Sequence, residues 1–264
     1  MITTNNAIVT DDMIRQFKEE GYFIIEKALA EEQIEAMRGE LGGFMDAIHQ
    51  KMDEEGTDSL GITHRNKRYF IPHTYNRSQI MHDFIFGPIM QEICRATLGD
   101  NVNFFLDQWV VKSAEKGMSF SWHQDSGYIG FDHNPYLTCW TPLDDVNEEN
   151  GTVYLLPYSH IGVKTRVTHI WDEVTNDMIG YFGDDPGIPV IVPAGSIACF
   201  SSVCFHRSGV NTSPNMRRVM LTQYSADRII DPLTKKPQIS AIPFIKDGEV
   251  INECYPIKDP HDIG

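Results

Sequence analysis

The sequence lacks several features that would assign it to common classes of protein. No apolar run approaches the roughly 20 residues that cross a bilayer, and residues 1–10 have neither the basic start nor the apolar centre of a signal peptide. No internal repeat, low-complexity tract or Pro/Gly/Ser-rich linker divides the chain. We therefore expect a single domain over residues 1–264, no membrane segment and a cytoplasmic location.

Basic residues are also scarce. The 22 Lys and Arg face 37 Asp and Glu, which gives a formal net charge of -15. Nucleic-acid surfaces need clustered basic side chains, and anionic lipid repels an acidic protein. The composition therefore predicts a partner that is a small molecule, neither nucleic acid nor membrane, and it leaves the oligomeric state open.

Cysteines are few and show no metal or disulfide spacing. Their number is odd and no CxxC pair occurs, which is typical of reduced, buried thiols inside a cell. Gly-rich phosphate loops and nucleophile elbows are absent as well, which excludes the common nucleotide-binding and hydrolase motifs. The cysteines are Cys94, Cys139, Cys199, Cys204 and Cys254.

The first hundred residues have helical patterns. Thr10 with two following acids predicts a helix start, Gly21 its end, and Tyr22–Ile25 a strand. A second helix carries apolar residues at helical spacing, and a third pattern runs from about Ile80 to Leu98.

From residue 102 the chain consists of short apolar runs between turn residues. Such spacing predicts an all-β core with helices, a jelly-roll (double-stranded β-helix, cupin-like) barrel with an N-terminal helical layer. The predicted strands are Val102–Lys112, Tyr136–Leu143, Thr152–Leu156, Pro189–Val192, Ser196–Ser201 and Arg218–Ser225.

One His-x-Asp motif, His123 and Asp125, offers metal ligands. On an extended segment, positions i and i+2 point to the same side, so both groups would face one metal. Two histidines and one carboxylate form the facial triad of non-haem Fe(II) enzymes. His206, after the strand-like segment 197–202, is the best second histidine. A lone histidine at a strand end is more often structural, so the set of motifs has to support this choice.

Three segments, together with Glu20–Ile25, resemble the phytanoyl-CoA dioxygenase family of Fe(II)- and 2-oxoglutarate-dependent oxygenases. The resemblance spans roughly residues 12–228. It implies that His123, Asp125 and His206 bind Fe(II). The three segments are residues 121–126, 150–160 and 206–211.

The resemblance also implies residues for the co-substrate. Arg217 stands at the family's spacing after His206 and would pair with the distal carboxylate of 2-oxoglutarate, for which a guanidinium fork is suited. Strand alternation places the adjacent Arg218 on the opposite face, and alternation alone does not decide between the two. Ser208 would support the same carboxylate.

Two further residues are candidates for the co-substrate pocket. Trp140 resembles a family tryptophan that lines it, although a core aromatic on a strand explains Trp140 equally well. Gln108 shares a strand face with Leu106 and Val110, and an inward orientation would let it contact co-substrate or substrate. Gln124, between two predicted ligands, should point away from the metal.

The implied activity is oxidation of an unactivated C–H bond of a small molecule, with O₂ consumed and succinate and CO₂ released. The carboxylate of Asp125 favours a hydroxylase over a halogenase, in which a small residue stands at this position. The alternatives are a non-catalytic jelly-roll protein that binds a small acid, and a metal-dependent enzyme that does not use 2-oxoglutarate. Neither alternative explains Arg217 and Ser208.

The stretch His64–Arg77 contains four basic residues and no acidic ones. A solvated loop explains it slightly better than the alternative, a mouth that attracts 2-oxoglutarate or an anionic substrate. The segment after Asp231 is expected to be an irregular tail.

Overall fold

The computed structural model describes residues 8–115, 118–173 and 177–251. Its helices lie mainly before residue 100, as predicted. The third helical pattern is two helices, because Gly87 and Pro88 separate them. The helices are α1 (Asp11–Glu20), α2 (Glu31–Glu55), α3 (Gln79–Ile85), α4 (Pro88–Leu98) and the single turn α5 (Tyr158–Ile161), with one 3₁₀ turn at Asp125–Tyr128.

Most of the remaining secondary structure among the described residues consists of β-strands. The strand predicted at Val102–Lys112 has those bounds, and four others agree within a residue at each end. The strands are β1 (Tyr22–Ile25), β2 (Ser59–Leu60), β3 (Thr63–His64), β4 (Arg68–Pro72), β5 (Val102–Lys112), β6 (Phe120–His123), β7 (Leu137–Pro142), β8 (Val153–Leu156), β9 (Ile170–Asp172), β10 (Asp177–Ile179), β11 (Ile188–Pro189), β12 (Ile197–Ser201), β13 (Phe205–Ser208), β14 (Arg217–Ser225), β15 (Ile242–Lys246) and β16 (Glu249–Val250).

Two antiparallel sheets face each other. The larger has the order β1-β12-β7-β14-β5-β4-β3-β2, with the β15–β16 hairpin joined to β5. The smaller has the order β11-β8-β13-β6. Side chains from both sheets line one cavity, so the predicted jelly-roll barrel is confirmed.

The central strands of the larger sheet are buried on both faces. Trp109, Cys139 and Met220 belong to the core cluster that also contains Met37 and Phe44 of α2, so this face of the sheet packs under the helices. Alternate residues such as Trp140 and Leu221 belong to a second cluster inside the barrel. This double burial explains why these strands are nearly continuous apolar runs in the sequence.

The inward residues of β4, β5, β14 and β7 form rows across the sheet, because residues paired across strands point to the same side. The first row is basic, the next two are mainly apolar, and the last contains two polar residues. The rows are Arg68–Lys112–Arg217, Phe70–Val110–Val219, Pro72–Gln108–Leu221–Trp140 and Leu106–Gln223–Thr138.

Three sequence-based predictions were wrong in part. Pro189–Val192 is a strand only at Ile188–Pro189, with an isolated bridge at Val192, because its partner β8 is short. The His64–Arg77 stretch contains β4, and Arg68 and Arg77 are buried, so it is not a solvated loop. The segment after Asp231 contains the β15–β16 hairpin, because its apolar residues Phe244 and Ile245 reach the core. Residues 252–264, including Cys254, lie outside the described residues.

The N-terminal helix is fixed at both ends. The Thr10 hydroxyl accepts a hydrogen bond from the Met13 amide, and Gly21 ends the helix with φ of 86°. A Cβ atom at Gly21 would lie 2.6 Å from the Tyr158 ring, so both conformation and space require glycine. None of the described helices is long and apolar enough to cross a membrane.

Candidate active site

The two predicted histidine ligands meet across a pair of strands. His123 ends β6 and pairs directly with His206 of β13, with 4.2 Å between ring centroids. The Nδ1 atoms of His123 and His206 contact the carbonyl oxygens of Ser121 (2.8 Å) and Cys204 (3.1 Å). A carbonyl only accepts, so Nδ1 carries the proton in each ring. The Nε2 lone pairs are therefore available for a metal.

Asp125 completes the group, although by a different geometry from that expected for the motif. His123 is the last residue of β6, and Asp125 begins the 3₁₀ turn, so the pair does not lie on one extended strand. Asp125 Oδ1 lies 3.5 Å from His206 Nε2. One potential ligand atom from each of the three residues lies within 4.8 Å of the other two. The structure thus brings together the three side chains predicted from the sequence.

The protonation states suit a divalent metal. Burial, together with the neighbouring His206 ring, lowers the pKa of His123 to about 4. Burial acts to raise the pKa of Asp125, but the two imidazoles and the Thr138 hydroxyl outweigh it and lower that pKa to about 2. A neutral imidazole and an ionised carboxylate at neutral pH are the forms that bind metal.

Two side chains that were not predicted from the sequence hold the other oxygen of Asp125. The Thr138 hydroxyl donates to Asp125 Oδ2 (2.5 Å), and the Gln223 amide donates to the same oxygen (3.0 Å) and to Thr138 Oγ1 (3.1 Å). Both residues are buried. This closed triangle occupies Oδ2 and leaves Oδ1 for a metal. The sequence pattern that could have identified them is a Thr and a Gln at inward positions of otherwise apolar strands.

Arg217 and Arg218 point to opposite faces of β14. Arg218 hydrogen-bonds to the Asp144 carboxylate outside the cavity. Arg217 is 1% exposed and lines the cavity, and its Nε and Nη1 atoms have no hydrogen-bond partner among the described residues. Burial lowers the pKa of Arg217 to about 10, so it remains charged at neutral pH. Buried unpaired guanidinium groups require an anion, and the cavity is where one can bind.

Lys112 and Arg68 lie in the same row of inward side chains as Arg217. Lys112 Nζ donates to Ser208 Oγ (2.8 Å), so the Ser208 hydroxyl hydrogen is free for another acceptor. Burial, with Arg217 and Arg68 nearby, places the pKa of Lys112 well below its usual range. Lys112 was not among the residues predicted from the sequence. The sequence pattern that could have identified it is a lysine at an inward position of a buried strand.

Two of the remaining predicted residues face the cavity and one points away from it. Trp140 and Gln108 both line the cavity, and the Arg217 guanidinium lies 5.7 Å from the centroid of the Trp140 ring. Gln108 is inward, as its alternation with Leu106 and Val110 predicted. Gln124 points away from the histidines, and its amide binds the carbonyls of Thr165 and Val203.

The cavity next to the three metal-ligand candidates has a volume of about 290 Å³. It has a cationic end at Arg217 and Ser208 and a largely apolar lining elsewhere. A 2-His-1-carboxylate donor set suits Fe(II) and leaves coordination positions open. The unpaired Arg217 atoms suit the far carboxylate of a chelating keto acid, so these residues fit both iron and 2-oxoglutarate.

Comparison with known proteins identifies the family to which this site and fold correspond. The model of the family described as phytanoyl-CoA dioxygenase (PhyH) matches residues 17–219. A phytanoyl-CoA dioxygenase domain-containing protein 1 from Danio rerio is 21% identical over 257 residues, covering 80% of this chain and 88% of that protein.

Solved structures share the fold. The carbocyclase SnoK from nogalamycin biosynthesis, described as non-haem and alpha-ketoglutarate-dependent, superposes with a TM-score of 0.64 at 18% identity, covering 89% of this chain and 95% of that one. EctD from S. alaskensis, solved with 2-oxoglutarate and 5-hydroxyectoine, gives 0.65 at 17% identity, covering 98% and 90%. At these identities the likeness shows a common jelly-roll architecture.

Proposed function

The chain belongs to the phytanoyl-CoA dioxygenase family of Fe(II)- and 2-oxoglutarate-dependent oxygenases, and on that premise we propose that His123, Asp125 and His206 hold its iron. The single observation that carries this assignment is the convergence of their three ligand atoms within 4.8 Å at the wall of a cavity. The reaction oxidises a C–H bond of a small molecule. The Asp125 carboxylate favours hydroxylation over halogenation, because it occupies a position that a halide would need.

Bound Fe(II), with 2-oxoglutarate and O₂, supplies the oxidising power, and succinate and CO₂ are released. The protein's residues orient and protect this chemistry. Carbonyls two residues earlier in the chain fix the tautomer of both histidines. Thr138 and Gln223 hold Asp125 with one oxygen turned to the metal. Apolar walls such as Phe200 and Leu221 keep water from the reacting bond.

The co-substrate end is assigned to Arg217, with Ser208, Trp140 and Gln108 around it. Arg217 would bind the distal carboxylate through its unpaired Nε and Nη1 atoms. Ser208 would add a hydroxyl donor, since Lys112 already occupies its oxygen as an acceptor. Arg68, in the same row, contributes further positive charge near a doubly charged keto acid, and Lys112 lies between Arg68 and Arg217.

The two alternatives, a non-catalytic protein that binds a small acid and a metal enzyme that does not use 2-oxoglutarate, are less well supported. The first, with a degenerate or structural metal site, gives the three converged side chains no catalytic role, and the second leaves the buried Arg217 without an anion.

The test is to add Fe(II) and 2-oxoglutarate to the protein without oxygen. Chelation should produce a weak visible absorption band, and replacement of His206 by Ala should abolish it. Succinate formation with O₂ should depend on the same residues. A band that persists in the His206→Ala variant would remove this residue from the ligand set, and no band in the wild type would support the alternatives.

The basic stretch that suggested an anionic substrate is mostly used within the fold. Arg65 pairs with Asp53 (2.6 Å) and Asp58 (2.8 Å). Arg77 donates to the carbonyl of His73 (2.9 Å). Arg68 belongs to the buried basic row, and its charge favours the dicarboxylate of the co-substrate.

We also propose a cytoplasmic location. The thiols of Cys94, Cys139, Cys199 and Cys204 are buried and free, which supports a reducing compartment. Fractionation of cells that contain the natural protein tests this proposal.

A further inference from the structure

Arg68 carries a second unpaired guanidinium group, behind the wall of the cavity. The side chain is 1% exposed, and its Nη1 and Nη2 atoms have no hydrogen-bond partner among the described residues. Its Nε atom donates to the Ile62 carbonyl (2.9 Å). A buried guanidinium without acceptors is unfavourable, because its terminal nitrogens have lost their hydration without replacement. The two terminal nitrogens therefore indicate a site for an anion.

The Arg68 guanidinium borders the cavity through two aromatic rings. The ring centroids of Phe120 and Phe70 lie 5.1 and 6.0 Å from its guanidinium carbon. Both rings line the cavity, as does Ile62, whose carbonyl holds the Arg68 Nε atom. Both phenylalanines are half-buried, and Phe120 is the first residue of β6. One ring therefore separates the unpaired nitrogens from the space in which a ligand binds.

A single co-substrate carboxylate does not satisfy both arginines. Arg68 and Arg217 lie in one row with Lys112 between them. Because neighbouring strands are about 4.8 Å apart, the two backbone positions are roughly 10 Å apart. The guanidinium groups also turn in different directions: that of Arg217 lies beside Trp140 of β7 (5.7 Å), and that of Arg68 beside Phe120 of β6 (5.1 Å). The charge of Arg68 acts on the co-substrate at a distance, but its terminal nitrogens need a second anion.

The neighbouring acidic side chain does not fill this role. Burial lowers the pKa of Arg68, and the charge of Asp177 opposes this effect. Asp177 Oδ2 accepts a hydrogen bond from the Ser121 amide (2.8 Å), and it leaves both terminal nitrogens of Arg68 without an acceptor. Tyr128 lines the same part of the cavity, and its hydroxyl oxygen accepts from the Met178 amide (3.3 Å). The hydroxyl hydrogen of Tyr128 is therefore available as a further donor to an anion.

Arg207 is another arginine at the cavity without an acidic partner among the described residues. It donates to one backbone carbonyl (3.2 Å). Its guanidinium lies 3.7 Å from the Tyr154 ring centroid and 5.3 Å from that of Trp122, and neither ring lines the cavity. Arg207 follows His206 on β13, so alternation sends its side chain to the other face of the strand. Arg68 is therefore the better-placed cation for a ligand inside the barrel.

The distance from Arg68 to the proposed metal ligands is short. The Phe120 ring centroid lies 5.1 Å from the Arg68 guanidinium carbon and 6.0 Å from the His123 ring centroid. A short carbon chain can therefore extend from an anion at Arg68 to the metal site. The rest of the lining suits an apolar body, and its exposed apolar members include Ile62 (38%), Trp171 (49%) and Ile239 (41%).

We infer that Arg68 binds an oxyanion group of the substrate, a carboxylate or a phosphonate, while Arg217 holds 2-oxoglutarate. The substrate is then a short, otherwise apolar acid whose oxidised carbon lies a few bonds from its anionic group. The Phe120 ring turns aside to admit this group, Nη1 and Nη2 of Arg68 donate to its oxygens, and the Tyr128 hydroxyl adds a hydrogen bond. This inference rests on the proposed function, which supplies the metal and the co-substrate.

The test compares probes that have the same chain length and different head groups. Calorimetric titration of the oxygen-free protein, loaded with Fe(II) and saturating 2-oxoglutarate, uses hexanoate, hexylphosphonate and 1-hexanol. We expect at least one of the two anions to bind about tenfold more tightly than 1-hexanol, and the tighter anion identifies the head group. Binding of 1-hexanol as tight as that of both anions, or no binding of either anion, would overturn the inference.

Variants locate the anion. Arg68→Met should weaken binding of the tighter anion about thirtyfold and leave 1-hexanol binding unchanged, because the two side chains have similar length. Arg68→Lys should give an intermediate loss, since it keeps the charge without the fork. Arg207→Met is the matched control and should bind the anion like the wild type. A loss in Arg207→Met equal to that in Arg68→Met, or no loss in either Arg68 variant, would contradict the assigned site.

The visible absorption band with Fe(II) and 2-oxoglutarate is recorded for the wild type and for each variant. A band in Arg68→Met shows that the barrel is intact, and if that variant does not fold, Arg68→Lys decides. Anion binding that depends on Arg68 in a wild-type protein without the band would contradict the proposed function and leave the anion site standing. A normal band with anion binding independent of Arg68 would overturn this inference alone.

Discussion

At the scale of single residues, Asp125 divides its two oxygens between two tasks. Oδ2 accepts hydrogen bonds from Thr138 and Gln223, and Oδ1 faces His206. Free carboxylates bind metals through one oxygen or two, so at the proposed iron site this arrangement would favour binding through Oδ1 alone.

Replacement of Thr138 by Val should weaken metal binding. The two side chains have nearly the same shape, so the change removes mainly the hydroxyl that donates to Asp125 Oδ2 (2.5 Å). Loss of such an outer partner typically weakens metal affinity about 10–100-fold. Titration of the metal-free protein with Co(II), followed by visible absorbance, measures the effect. Thr138→Ser is the control and should bind Co(II) like the wild type; equal loss in both variants would contradict the role of the hydroxyl.

Replacement of Arg217 by Ala should raise the 2-oxoglutarate concentration needed for half-maximal succinate formation. The variant loses a buried charge-assisted contact of about 2 kcal/mol, which corresponds to roughly thirtyfold. Arg218→Ala is the matched control, because Arg218 binds Asp144 on the other face. A larger effect of Arg218→Ala would reverse the assignment.

The sequence indicated candidate residues whose chemistry is rare, and the structure brings three of them together. It did not indicate Thr138 and Gln223, whose contacts depend on long-range pairing. His123, Asp125, His206 and Arg217 stand out through motif and spacing. Thr138 and Gln223 meet Asp125 only because β7, β14 and the 3₁₀ turn converge in space. Strand alternation indicates that both side chains point inward, but it does not indicate which residue they contact there.

At the scale of elements, local sequence patterns predicted most of the helix and strand boundaries, and the exceptions have physical reasons. The N-cap Thr10 and the terminal Gly21 fixed α1, and long apolar runs fixed β5 and β14. The short strands β2, β3 and β11 have two residues each, too few for a periodic pattern. They exist because a neighbouring strand supplies hydrogen-bond partners.

Gly21→Ala should destabilise the protein. Gly21 has φ of 86°, and a Cβ there would lie 2.6 Å from the Tyr158 ring, so both the backbone and the joint between α1 and α5 would be strained. We expect the free energy of unfolding to fall by about 2 kcal/mol, measured by urea denaturation. Gly39→Ala is the control. Gly39 lies on the exposed side of α2 with nothing near its Cβ position, so stability should rise by about 0.5–1 kcal/mol. If Gly21→Ala left the free energy of unfolding unchanged, the Tyr158 ring and the backbone at residue 21 would have to adjust to the methyl group without strain.

At the scale of the whole molecule, the proposed metal joins parts of the chain that are far apart in sequence. His123 and Asp125 belong to one segment, and His206 belongs to β13 in the same small sheet. The helical layer packs against the other sheet, away from this site. Metal binding should therefore stabilise the folded barrel, because the unfolded chain does not present the three ligands together.

The metal should raise the melting temperature of the metal-free protein. At a concentration of Co(II) one hundred times its dissociation constant, linkage gives about 2.7 kcal/mol of added stability. Thermal unfolding with and without Co(II) measures it, and a chelator should reverse it. The His206→Ala variant should show little or no shift; an equal shift in that variant would indicate binding elsewhere.

Three exposed apolar residues that line the cavity bear on how such a protein can diversify. Ile62, Trp171 and Ile239 lie on a tight turn, a separate two-stranded sheet and a connecting segment, none of which supplies a proposed metal ligand. Surface connections tolerate replacement better than the paired strands of a core. Substrate preference can therefore drift by exchange of a few rim residues while the oxidative machinery is inherited intact. Randomising these three positions is the shortest route to variants with new selectivity.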